Sequence, residues 1–139
     1  MQILKKKNIV VDATIKSKEE AIHKVAMMLS EDGYVNPEYE EGMLKREVES
    51  PTNLGNGMAI PHGTFEYKRM IKRSGICILI LPDGVMWNDE VVKLVVGIAG
   101  MEEEHLDILA KIAVALQEKS TVDEVVEGKK VNELYQMLS

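Results

Sequence analysis

The chain has 139 residues, 45% of them apolar, which suits a single buried core and one domain over residues 1–139. Seventeen Lys and Arg against 23 Asp and Glu leave a net charge of -6, so nothing here attracts nucleic acid or an anionic membrane surface in general. A lone Cys excludes an internal disulfide, three scattered His without a Cys-x-x-Cys pair give no zinc signature, and no apolar run reaches the roughly 18 residues of a membrane-spanning helix. No signal-peptide pattern follows Lys5, Lys6 and Lys7, and a cytoplasmic protein without metal or cofactor is expected.

In chain order, Asn8-Ile9-Val10-Val11-Asp12 is a short β-branched run that predicts a first strand. Ser17-Lys18-Glu19-Glu20 has the capping-box pattern, and Ala21, Ile22, Val25, Ala26 and Leu29 follow at helical spacing until Gly33. Asn36-Pro37 opens a second helix, with Pro at its first position, running to about Glu49 before Pro51. Gly55, Gly57, Pro61 and Gly63 then predict a sharply turned segment over residues 51–64. Two apolar runs, residues 74–81 and 93–100, predict central strands buried on both faces, the first stopped by a turn at Pro82-Asp83-Gly84.

From about Glu103, Leu106, Leu109, Ile112, Ala113 and Leu116 fall on one helical face. Thr121-Val122-Asp123-Glu124 reads as another capping box, and Val131, Leu134 and Leu138 as a last short helix. Strands interleaved with helices predict an α/β fold, one sheet with helices on both faces.

Imidazole is the side chain best suited to act as nucleophile or base near neutral pH, so the histidines come first. His23 lies in the first helix and reads as a solvated surface residue. His62 stands between Pro61 and Gly63, neighbours that stiffen the backbone and remove bulk, as a presented nucleophile requires; a plain turn histidine fits the spacing equally well. His105 follows a buried strand at a helix start, where unpaired N–H groups favour anions, although Glu102, Glu103 and Glu104 could simply answer the helix dipole there. Arg46 can grip phosphoryl oxygens bidentately or serve only as a helix C-terminal cation. Cys77, inside an all-apolar run, reads as a buried inert thiol, and Gly55-Asn56-Gly57 lacks the ending of a nucleotide-binding P-loop.

The ordered set Arg46-Glu47, Pro51-Thr52, Gly55-Asn56-Gly57-Met58-Ala59-Ile60-Pro61-His62-Gly63-Thr64, Val95-Val96-Gly97-Ile98-Ala99-Gly100 and Glu104-His105-Leu106 spans nearly the whole chain. It resembles the mannitol/fructose family of phosphotransferase-system (PTS) enzyme IIA, above all its separate mannitol-specific components. The resemblance implies a mixed sheet of about five strands flanked by helices, and His62 as the phosphorylated residue. It further implies His105 beside His62 in the site, and Arg46 neutralising the phosphoryl group. The donor would be the phosphocarrier protein HPr. The acceptor would be a cysteine of enzyme IIB, met in trans, which serves sugar uptake through enzyme IIC. Against that family the stretch Val85-Met86-Trp87-Asn88-Asp89-Glu90 looks shorter than in some members, a loop difference expected to lie away from the site. Two other functions compete: a regulatory, nitrogen-type enzyme IIA acting by phosphorylation-dependent protein binding, and a hydrolase using His62 and His105 as base and acid.

Overall fold

A computed structural model of the chain describes residues 3–139. Its centre is an antiparallel pair, β3 (Gly75–Trp87) and β4 (Glu90–Ala99), paired from Gly75 opposite Ala99 to Ile80 opposite Leu94 and, after a shift in register, from Val85 opposite Val92 to Trp87 opposite Glu90. Two short strands, β1 (Ile9–Val10) and β2 (Met58–Ala59), add in parallel to the outer edges of β3 and β4, giving the order β1-β3-β4-β2. The sheet is mixed, as expected, and has four strands among the described residues where about five were expected. One place where a further strand could form is closed by Pro61, which has no N–H for a ladder, so His62 makes only an isolated bridge to Ile98.

Alternation along β3 and β4 sends side chains to two cores. Cys77, Leu79, Leu81, Val95 and Ala99 face α1 (Lys18–Glu31) and α2 (Tyr39–Glu49). Ile76, Ile78, Ile80, Leu94, Val96 and Ile98 face α3 (Glu103–Leu116), α4 (Lys119–Val126) and α5 (Val131–Leu138). Both faces are therefore covered, which is why the two strands read as continuous apolar runs rather than alternating ones. Gly97 lets α1 come close: a Cβ there would lie 2.6 Å from Val25 Cβ.

The first helix starts where the capping box places it, with Ser17 Oγ accepting the Glu20 N–H at 3.1 Å. Several local expectations are corrected. The first strand shrinks to Ile9–Val10 because Lys6–Asn8 form a 3-10 turn and Asp12 takes a left-handed φ of 56°. The second helix begins at Tyr39 rather than Pro37, because Asn36 and Pro37 form a tight turn whose carbonyls accept the Tyr39 and Glu40 N–H groups. Pro82-Asp83-Gly84 is a bulge within β3 rather than its end; pairing resumes at Val85 opposite Val92. The reversal comes instead at Asn88-Asp89, with Asn88 left-handed at φ 60°, so residues 85–90 are the tip of a hairpin and not a loop. Thr121 caps nothing, since α4 already starts at Lys119 and the Thr121 N–H bonds back to the Glu118 carbonyl. Among the described residues no helix is long and apolar enough to cross a membrane.

Candidate active site

His62 sits where the segment over residues 50–64 crosses the end of β4. Ile98 donates its N–H to the Pro61 carbonyl at 3.0 Å, anchoring the peptide before the histidine. The ring Nδ1 lies 2.8 Å from the Ile60 carbonyl oxygen. A carbonyl only accepts, so Nδ1 carries the proton and the neutral ring keeps its free lone pair on Nε2. Burial pushes the His62 pKa below its ordinary value; the Ile60 bond opposes that shift, and the Arg46 charge adds to it. Both facts favour a neutral, directionally fixed nucleophile at pH 7.

His105, at the start of α3, brings its ring centroid to 5.3 Å from that of His62, at an interplanar angle of 54°. Gly100 permits this approach, since a Cβ there would stand 2.6 Å from His105 Cα. The helix start is braced from the residue just before β3: buried Ser74 accepts the Met101 N–H through Oγ at 2.9 Å and donates to the Glu104 carboxylate at 2.6 Å. One of the three glutamates is thus engaged in holding the turn that presents His105. The His105 pKa is also lowered, first by burial and then by His62 and Lys68.

Arg46 lies in the last turn of α2, half-buried, and donates through its guanidinium to the Ser50 carbonyl. It therefore closes the helix end, the plainer of its two readings, while its charge reaches His62. His23 is exposed, with Nδ1 2.9 Å from a Glu40 carboxylate oxygen, as a surface residue would be. Cys77 is buried, and burial pushes its thiol up to about 12, as an inert thiol requires.

Sequence reasoning missed the carboxylates that shape the segment ahead of His62. Glu90, at the start of β4, accepts from Asn53 Nδ2 at 2.8 Å and from the Gly55 N–H at 3.1 Å through one oxygen, and from the Gly57 N–H at 2.7 Å through the other. Glu47, 4% exposed, accepts from the Thr52 N–H at 3.1 Å, Thr52 Oγ1 at 2.7 Å and Trp87 Nε1 at 2.8 Å. Asn56 donates to the Leu116 carbonyl at 2.9 Å, tying the same segment to the end of α3. Glu90 and Trp87 belong to the hairpin tip expected to lie away from the site; the tip holds the site's supporting loop. Only the pairing Glu47-Thr52 was near enough in sequence to be suspected; the others span 33 to 60 residues.

Residues 2–139 match the family model for the phosphoenolpyruvate-dependent sugar phosphotransferase system, EIIA 2. A mannitol-specific phosphotransferase enzyme IIA component of Staphylococcus aureus is 45% identical over 130 residues, covering 94% of this chain and 90% of that protein. Its counterpart from Geobacillus stearothermophilus is 43% identical over 140 residues, covering 100% and 97%. Among solved structures, the Escherichia coli complex of enzyme IIAMTL with phosphorylated enzyme IIBMTL superposes with a TM-score of 0.87 at 34% identity, over 97% of each chain. With a fixed histidine at the edge of its sheet and a family match over nearly its full length, the chain belongs to the EIIA 2 family of phosphotransferase-system components.

Proposed function

We propose that this protein is a phosphoryl carrier for mannitol uptake: it takes a phosphoryl group from phospho-HPr onto His62 and passes it to a cysteine of enzyme IIB. The observation that carries this reading is the His62 Nδ1 bond to the Ile60 carbonyl, which leaves Nε2 as the one ring nitrogen able to attack. The Nε2 lone pair forms a bond to phosphorus as the phosphorus–nitrogen bond to the donor histidine breaks, and the donor ring takes back its electron pair. Phosphorylation leaves positive charge on the His62 ring, and the Ile60 oxygen at Nδ1 stabilises it. In the second step a thiolate of enzyme IIB attacks phosphorus and the Nε2 pair returns to His62. Such transfer is in-line and loose, so the protein's share is aim and charge compensation, the parts given to His105 and Arg46.

A protein partner suits this site better than an enclosed small substrate. Phe65, three residues beyond His62, is 84% exposed, and Leu106, beside His105, is 66% exposed; apolar side chains held out next to a reactive group favour docking of another surface. That argues against the hydrolase reading. The relatives named mannitol-specific, and the Escherichia coli neighbour seen with phosphorylated enzyme IIB, favour transport over nitrogen-type regulation. Labelled phosphoenolpyruvate, enzyme I and HPr should phosphorylate the chain stoichiometrically, and mannitol-type enzyme IIB should then discharge it. An unlabelled chain, or label that mannitol-type enzyme IIB leaves in place, would overturn the proposal.

A further inference from the structure

The peptide groups on both sides of His62 are tied to one residue of the sheet, by two different routes. Before the histidine the tie is direct, from the Ile98 N–H to the Pro61 carbonyl at 3.0 Å. After it the tie runs through a phenol: the Gly63 N–H donates to Tyr39 Oη at 2.8 Å, and that hydroxyl donates to the Ile98 carbonyl at 3.0 Å. Tyr39 is 2% exposed, and its ring lies so close that a Cβ on Gly63 would stand 2.6 Å from it. Burial pushes the phenol up to about 12, against the pull of the Gly63 N–H, so it remains a donor throughout the working pH range.

Tyr39 opens α2, and the same helix holds the next residue too, since the Gly42 carbonyl accepts the Thr64 N–H at 3.3 Å. Seven residues along from Tyr39, nearly two full turns, comes Arg46 on the same helical face. One helix therefore locks the His62 backbone with its first residue and brings a cation toward the phosphoryl site with its last turn.

We propose that Tyr39 is a positioning residue for phosphoryl transfer: its hydroxyl, bridging Gly63 to Ile98, sets the aim of His62 Nε2 and the spacing of His62 from Arg46. It touches no reacting atom. The inference rests on His62 being the phosphoryl acceptor. Without the bridge, the Gly63 N–H and the Ile98 carbonyl lose their partner, and the histidine gains freedom at the bond where its direction is set. Misplacing a nucleophile by about 1 Å can lower a rate by as much as about a hundredfold.

The test is Tyr39→Phe, with Tyr34→Phe as control; Tyr34 is equally buried but packs against Gly75 at the start of β3. Tyr39→Phe should lower the transfer rate from saturating phospho-HPr by roughly ten- to a hundredfold while leaving half-saturation unchanged. Its His62 ring 15N shifts should move from those of a single Nδ1–H tautomer toward exchange-averaged values. Wild-type rate and ring shifts in Tyr39→Phe would overturn the inference, as would the same losses in Tyr34→Phe. Should Tyr39→Phe not fold, amide exchange in the wild-type protein decides: the Gly63 N–H should be protected, and exchange at the open-chain rate would refute the bridge. A wild-type protein that takes no phosphoryl group would overturn the carrier function instead, with ring shifts and Gly63 protection still reporting on Tyr39.

Discussion

The segment over residues 50–64 and the β3–β4 hairpin are neighbours built on opposite principles. In the hairpin, Gly75 through Leu81 and Leu94 through Ala99 are buried and held by ladder bonds and apolar contact on both faces. The segment contributes only a two-residue strand, yet Glu47, Glu90, Asn56, Tyr39 and Ile98 all fasten it through polar atoms. Apolar burial is nondirectional and tolerates small shifts, whereas a hydrogen bond fixes an angle. On the proposed function, a carrier that must aim one ring nitrogen has its stability in the first region and its precision in the second.

If that division holds, damage to the site should cost rate and damage to the hairpin should cost stability. The largest effect is expected from Arg46→Ala. Losing one preorganised charge at the phosphoryl group should slow transfer about 10²–10³-fold, measured by rapid quench, with thermal stability close to wild type. Arg46→Lys should also be slow, because an ammonium lacks the two-pronged donor geometry. Wild-type transfer in Arg46→Ala would return this residue to its bond with the Ser50 carbonyl alone.

Next comes Leu79→Ala, which opens a cavity in the face toward α1 and α2, where Leu79 is fully buried. It should lower unfolding free energy by about 2–5 kcal/mol in denaturant titration. The molecules that remain folded should transfer at the wild-type rate. A rate loss at unchanged stability would break the comparison.

The smallest effect concerns pH. The folded-state pKa of His62 is depressed, mainly by burial, so between that lowered value and about 6.5 the unfolded chain binds more protons than the folded one. Its contribution to stability is complete above about 6.5 and is lost as pH falls through the window below. His105 shifts in the same direction. Denaturation midpoints should therefore fall as pH drops from 7 toward 5, and more shallowly in His62→Ala. An identical slope in the variant would show that His62 is not the group responsible.

The same contrast governs what could be read from sequence. The hairpin's apolar runs, the Ser17 cap and the α3 helix itself depend on neighbours within a few residues, and all appear in the fold, but the buried face of α3 is Ile108, Ile112 and Leu116, while Leu106 and Ala113 of the expected face are exposed. The hairpin's true end escaped because Pro82-Asp83-Gly84 has the composition of a turn, while partner-strand pairing turns it into a bulge. Thr121 misled for a similar reason: the cap pattern was present, but an earlier residue already started the helix. At the site, Pro61 and Gly63 marked His62 as one of two equal readings and the resemblance singled it out, whereas Glu90 and Tyr39 act across 24 to 59 residues and leave no local pattern.

The central claim is that Nε2 of His62 receives the phosphoryl group because Nδ1 is committed to Ile60. It is tested most directly by 15N and 31P NMR of histidine-labelled protein after phosphorylation through HPr. The account requires phosphorus bonded to Nε2 of His62, with Nδ1 still protonated and bonded to the Ile60 carbonyl. Phosphorus on Nδ1 of His62, or on His105, would contradict it.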